Sequence, residues 1–195
     1  MKIGVVISGG DVTGINNFIF QVARLAQADI VLFNGGIPGL LANQYQSVRH
    51  RDLVDYSISS MPIMSSGRTA KKLVAGEYET ISKQLKTLHI EVLIMAGGDG
   101  SLQFLNTLSE FGVNCFGVGM TIDNDVFGSH YSIGFSTACE QVIKEGSKLR
   151  NTGRALPGRV FMIELLGGYC GELTLQAPLK YNADYALIPE CQYAL

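Results

Sequence analysis

"EVLIMAGGDGSLQFLNTLSE", residues 91–110, passes from a short apolar run through paired glycines into a stretch with helical spacing. The run at 91–96 is too short for an ordinary helix and does not alternate polar with apolar, so it predicts a strand buried on both faces. Residues 101–110 predict the helix that follows it. The same order recurs along the chain. "KIGVVIS" (2–8) ends at Gly9-Gly10, "DIVLFN" (29–34) ends at paired glycines, and "CFGVG" (115–119) runs into a polar cluster. Segments 14–27 and 70–88 are helix-like, and Ile15, Phe18, Ile19, Val22 and Leu25 share a helical spacing. Continuous apolar strands each followed by a helix predict an α/β domain with a parallel sheet covered on both faces. Further on, 136–150 predicts a helix, "RVFMIEL" (159–165) a strand, Gly171–Leu179 a helix and "YALIP" (185–189) a short strand. A division near 135–140 is expected, with one domain over 1–138 and the start of a second over 139–195.

Composition narrows the function classes. Hydrophobic residues make up 47% of the 195 residues and charged residues 16%, against typical charged usage of about 25%. Part of that apolar surplus is expected in a subunit interface. A net charge of −2 offers no basic footprint for nucleic acid. No apolar run reaches the length of a membrane span, and "IGVVIS" is too short for a signal segment. Cys115, Cys139, Cys170 and Cys191 are widely spaced, which suits reduced thiols in the cytoplasm better than disulfides or zinc.

Open α/β sheets bind ligands beyond the carboxyl ends of their strands. This chain gathers its glycines and polar residues there: "SGGD" (8–11), "GGDGS" (97–101) and "TIDND" (121–125). Glycines at a strand-to-helix turn let backbone approach an anion, and the helix offers N–H groups to phosphate. Asp99 inside such a turn suits a Mg²⁺ bridging carboxylate and phosphate oxygens; its bland alternative is a helix-capping aspartate. If 121–125 is extended, Asp123 and Asp125 project to one side and Asn124 to the other. Two such carboxylates can divide the work of deprotonating an alcohol and holding the reacting groups, though an isolated "DND" is more often a solvated turn. Arg68 in "SSGRT" and Arg159 in "PGR" are candidate phosphate cations. Together these features point to phosphoryl transfer to a hydroxyl. His130 lacks an evident partner and is expected to be structural, and Met61, Met64 and Met95 to lie in the core.

"IGVVISGGDVTGINN", "IMAGGDGSLQFL", "GMTIDNDVFGSHYSIGFSTA" and "ELLGGYCGELTLQAPL" with the later "ADYALIPE" resemble, in order, the phosphofructokinases. The resemblance implies a parallel-sheet, Rossmann-like phosphofructokinase fold, its first domain followed by part of a second. It implies a kinase of glycolysis that moves the γ-phosphoryl of ATP to the 1-hydroxyl of fructose 6-phosphate, with Mg²⁺ as cofactor. Gly10, Arg68, Thr69 and Gly98, Asp99, Gly100 and Ser101 would then serve the nucleotide, with Asp99 at the metal. Thr121 and Asp125 would hold the reacting groups, and Asp123 would be the base. Arg159 would reach the sugar phosphate of a neighbouring subunit, implying a homo-oligomer, and Leu166, Gly167 and Gly168 occupy a further sugar-phosphate motif.

The departures from the family are specific. Where the family has Met-Gly-Arg this chain has Leu166-Gly167-Gly168, so the arginine of that motif is missing. "SSMPIMSS" (59–66) replaces a glycine-rich stretch before Arg68. At the family's effector site an arginine is replaced by Phe20, while Arg24 and Arg150 remain. Pyrophosphate-using relatives carry Lys before TIDND and a second Asp in the glycine turn; Met120 and Gly100 stand there, which favours ATP. Members continue well beyond "IPE" (188–190), so completion by further sequence or another chain is expected. The alternatives are a catalytically weak, regulatory paralogue that binds nucleotide or sugar phosphate, and a kinase for another sugar phosphate.

Overall fold

The computed structural model describes residues 1–10, 13–69 and 71–193. The chain divides into two compact units, Met1–Met120 and Thr121–Leu195, the division falling ahead of the boundary expected near 138.

In the first unit, β1 (Lys2–Ser8) pairs in parallel with β2 (Asp29–Phe33) on one edge and β4 (Val92–Gly97) on the other. β5 (Cys115–Thr121) adds in parallel beyond β4. The exception to the parallel pattern is β3 (Tyr45–Val48), which runs antiparallel to β2 as a short, exposed edge. The strand order β3-β2-β1-β4-β5 makes β1 central. Val5, Val6, Val31, Leu32, Phe33, Leu93 and Met95 are wholly buried, as continuous apolar strands predict. Full burial of one such side chain is worth roughly 1.5–3 kcal/mol before entropy is counted.

Helices cover the faces. α1 (Ile15–Ala26) buries Ile15, Ile19 and Ala23, whereas Leu25, which shares the helical spacing, is 73% exposed. The buried face instead includes Asn16, which is explained by its hydrogen bonds: its Nδ2 donates to the carbonyls of Ser59 (2.9 Å) and Met61 (2.7 Å), and its Oδ1 accepts from the Ile63 N–H (3.1 Å). Met61 is therefore held by its backbone with its side chain exposed, not in the core; Met64 and Met95 are buried as expected. α3 (Ala75–Thr87) starts later than residue 70, where Glu77 accepts from the Val74 N–H at 2.8 Å and satisfies an end donor. Its Tyr78 stacks on Phe104 (5.4 Å) and Phe111 (5.3 Å) and so joins α3 to α4 (Asp99–Glu110). The short α2 (Gly36–Leu41) and a 3-10 turn at His50–Leu53 lie in a region where the sequence pattern predicts no element.

In the second unit, a two-residue strand β6 (Ile133–Gly134) leads into α5 (Phe135–Ala155), followed by α6 (Glu172–Lys180). Phe135, Cys139, Leu173 and Ala177 form their shared core. The strands predicted at 159–165 and 185–189 are absent: neither segment joins a ladder among the described residues. A strand needs a neighbouring backbone for its N–H and C=O groups. Here Val160 is 93% exposed and Met162 88%, so neither pairing nor packing favours the ladder.

Two outcomes follow from the packing. A Cβ on Gly146 would meet the Tyr181 ring at 2.5 Å, whereas one on Gly153 would touch Phe161 at an ordinary 3.4 Å. Gly146→Ala should therefore destabilise by about 1–3 kcal/mol, and Gly153→Ala should be neutral or stabilise by up to about 1 kcal/mol, as read from urea midpoints. Burial pushes the Cys115 thiol up to about 11, while Cys191 is exposed. At pH 8 iodoacetamide should label Cys191 first and Cys115 far more slowly, because the thiolate is the nucleophile; peptide mapping checks the order.

Candidate active site

In the first unit, the carboxyl end of β1 organises three loops. The Gly9 N–H donates to the Gly67 carbonyl (3.2 Å), Ser8 Oγ donates to the same oxygen (3.4 Å), and Ser66 Oγ donates to the Gly9 carbonyl (2.9 Å). The end of β2 grips the same segment: the Gly35 N–H donates to the Ser65 carbonyl (3.0 Å) and Asn34 Oδ1 accepts from the Ser65 N–H (3.1 Å). These bonds fix the backbone that carries Arg68 and Thr69. Contact is so close that a Cβ on Gly67 would lie 2.1 Å from the Gly35 oxygen. A Cβ on Gly10 would stand 3.3 Å from Arg68 Nη2, so the exposed guanidinium lies against the glycine turn.

The turn 97–101 joins the same cluster. Gly97 pairs with Ser8, a Cβ on Gly97 would meet the Ser8 oxygen at 2.5 Å, and Ser101 Oγ donates to that oxygen at 3.4 Å. Gly98 is the N-cap of α4 and makes no side-chain cap. Asp99 is not the cap either. Its Oδ2 accepts from Gln103 Nε2 at 2.6 Å, and Oδ1 enters no hydrogen bond or ion pair among the described residues. The helix N-terminus thus presents free N–H groups beside an exposed carboxylate, with Arg68 on the neighbouring loop. Structure therefore brings Gly10, Arg68 and Gly98–Ser101 together.

Thr121, Asp123, Asp125, Arg159, Leu166, Gly167 and Gly168 belong to the second unit. β5 ends at Thr121, whose Oγ1 accepts from the Asp123 N–H at 3.2 Å. Asn124 adopts a left-handed φ of 57°, so the alternation expected for an extended 121–125 stops there. Asp123 is half-buried and Asp125 exposed. Arg159 and Leu166 are exposed. Gly168, at the position of the absent arginine, has a φ of 58°, a conformation L residues rarely adopt. His130 receives a hydrogen bond through its carbonyl from Asn124 Nδ2 at 3.2 Å. Phe20 stacks on His50 with ring centroids 5.3 Å apart.

Three supporting residues escaped the sequence reading: Asn34, Gln103 and Asn124. Gln103 stands four residues after Asp99, the spacing at which helical side chains meet. Asn124 is of the type that tolerates left-handed backbone. Nothing local marked Asn34.

The family model described as Phosphofructokinase matches residues 2–195. The chain belongs to the phosphofructokinase family. It is 35% identical over 195 residues to the ATP-dependent 6-phosphofructokinase of Buchnera aphidicola subsp. Cinara cedri (strain Cc), covering 98% of this chain and 61% of that protein. To the ATP-dependent 6-phosphofructokinase of Yersinia pestis (strain Pestoides F) it is 37% identical over 202 residues, covering 98% and 60%. The chain thus spans about three fifths of the length of the curated relatives it matches. Among solved structures, phosphofructokinase from Saccharomyces cerevisiae superposes with a TM-score of 0.86 at 25% identity, covering 97% of this chain and 29% of that one. The phosphofructokinase of Pichia pastoris gives 0.88 at 26% identity, covering 99% and 24%. The α/β architecture is the phosphofructokinase fold.

Gly67→Ala tests the crossing that holds Arg68. An alanine Cβ cannot remain 2.1 Å from the Gly35 oxygen, so the segment must lift. Trypsin cleavage after Arg68, followed by mass spectrometry, should accelerate about fivefold or more for an opening eased by about 1–3 kcal/mol. Cleavage at the wild-type rate would mean the loop absorbs the methyl without moving.

Proposed function

We propose that this chain carries the nucleotide turns and the general base of an ATP-dependent 6-phosphofructokinase acting on fructose 6-phosphate in the cytoplasm. The observation that carries the reading is the convergence of Gly9–Gly10, Arg68 and the N-terminus of α4 at the carboxyl ends of β1 and β4. Arg68 and the α4 N–H groups would hold ATP phosphates through charge-assisted and backbone hydrogen bonds. Asp99 offers a hard anionic oxygen, Oδ1, with its other oxygen fixed by Gln103. No group of three or more metal-ligating side chains occurs among the described residues. That donor set fits Mg²⁺, which takes one or two carboxylates and completes its shell with phosphate oxygens and water. Bound there, Mg²⁺ would neutralise charge on the transferring phosphate.

The Asp123 carboxylate would accept the proton of the sugar 1-hydroxyl as that oxygen bonds to the γ-phosphorus and the bond to the β–γ bridging oxygen breaks, leaving ADP. Thr121 and Asp125 would hold the reacting groups, and Arg159, with the 166–168 segment, the sugar phosphate, Arg159 reaching that of a second subunit. Gly100 and Met120 in place of Asp and Lys favour ATP over pyrophosphate.

A second reading is a binding or regulatory subunit. It is favoured by Gly168, which stands where a cation would face the transferring phosphoryl. In that reading the chain binds nucleotide or sugar phosphate and acts on another polypeptide without transferring phosphoryl.

ATP- and Mg²⁺-dependent phosphorylation of fructose 6-phosphate separates the two. The kinase reading expects product from the wild-type chain and a fall of about 10²–10⁴-fold in kcat for Asp123→Asn, with ATP affinity retained. Arg68→Ala should instead weaken ATP binding by roughly tenfold or more. Nucleotide binding without product in both wild type and Asp123→Asn would hand the lead to the binding subunit.

A further inference from the structure

The TIDND segment contains a residue with no assigned role whose carboxamide is held at both ends. Asn124 sits between the two aspartates in left-handed backbone, φ 57°, a conformation that costs most residues about 1–2 kcal/mol and is visited by asparagine. Both ends of its carboxamide are used. Nδ2 donates to the His130 carbonyl at 3.2 Å, and Oδ1 accepts from the Ser132 N–H at 2.8 Å. Ser132 is 5% exposed, so its N–H cannot turn to water for a substitute.

The strap leads to a fixed point. Ser132 receives a hydrogen bond from the Phe135 N–H at 3.3 Å, and Phe135, 2% exposed, belongs to the core between α5 and α6. On the other side of the loop Val126 is buried, and its carbonyl accepts from the Ser129 N–H at 3.2 Å. The connection runs from the core through Phe135 and Ser132 to Asn124, and from there along one peptide bond in each direction to Asp123 and Asp125.

We infer that Asn124 is a positioning residue: its carboxamide ties the aspartate pair to the start of α5 and fixes the direction each carboxylate takes. The inference rests on the proposal that Asp123 is the general base. It adds that the base is aimed by its neighbour's side chain, so that loss of that side chain lowers turnover and leaves ATP binding in place.

Asn124→Gly tests this in the full chain, because glycine keeps the left-handed backbone and deletes both bonds. Exchange of the Ser132 amide, followed by NMR, should quicken by about tenfold or more. The titration midpoints of the Asp123 and Asp125 carboxyls, followed by ¹³C NMR, should move, while the amides inside α5 keep their protection. kcat should fall at least tenfold with KM for ATP within about twofold. Faster Ser132 exchange with unmoved midpoints and unchanged kcat would make Asn124 a loop staple only and overturn the inference. Unchanged Ser132 exchange would overturn it too.

If the wild-type chain transfers no phosphoryl group, the kinase proposal fails and the carboxyl titrations alone decide: moved midpoints uphold the positioning role and unmoved ones end it. Should Asn124→Gly not fold, the wild-type protein decides. Asn124 carboxamide protons protected about tenfold over free asparagine support the strap, and protons exchanging at the free rate overturn it.

Discussion

Everything in the first unit depends on a central strand that has neither a free edge nor a free face. β1 is paired along both edges, and its Val5 and Val6 are wholly buried. Its backbone groups are satisfied by β2 and β4, and from Ile3 to Ser8 it is buried. Polar chemistry can therefore emerge only where the strand ends. At Ser8 it does: this residue pairs with Gly97, its carbonyl receives Ser101, and its hydroxyl reaches Gly67. Three loops far apart in sequence meet at one strand end because beyond Val6 the β2 side offers no further sheet partner, and the 65–67 segment takes that place.

This arrangement explains why the glycines cluster as they do. Gly67 and Gly97 are each pressed against a backbone oxygen, Gly35 in one case and Ser8 in the other. Any side chain at these positions would separate the loops, and Arg68 would no longer be carried over Gly10. Glycine here is a requirement of close approach between backbones, which is the same property an anion-binding turn needs. The packing demand and the phosphate reading thus ask for the same residues, so the glycines alone do not discriminate between them. Asp99 is the residue packing does not account for: it is not the helix cap, is exposed, and is held by Gln103, with Oδ1 in no hydrogen bond or ion pair among the described residues.

The sequence was most legible where period and length agree. Strands β1, β2, β4 and β5 and helices α1, α4, α5 and α6 lie close to their expected positions, because long apolar periodicity leaves few alternatives. It was least legible between 35 and 69. There α2 begins with a glycine pair and carries Pro38, and β3 is an exposed edge with no alternation. Both form through tertiary bonds, including the Asn34 N–H to the Gln44 carbonyl at 2.9 Å, which no local propensity encodes. The site followed the same rule. Charged and glycine positions stood out in the sequence, whereas the neutral amides that hold the segments carrying them, Asn34, Gln103 and Asn124, did not. An amide acts through partners distant in sequence, and pattern carries no record of them.

The second unit shows what a strand signal is worth without a neighbour. "RVFMIEL" has the composition of a buried strand, and it forms none, because composition states only that burial would be favourable. The ladder itself needs a partner backbone, and within the described residues none lies beside Val160 or Met162. The two units thus differ in how far they are closed. The first buries a sheet and holds its loops by backbone bonds; the second rests on the contact of α5 with α6 and leaves its most strand-like residues in water. Asn124 is a strap that ties its loop to His130 and Ser132, whereas Gly168, with a φ of 58°, carries no side chain with which to make one.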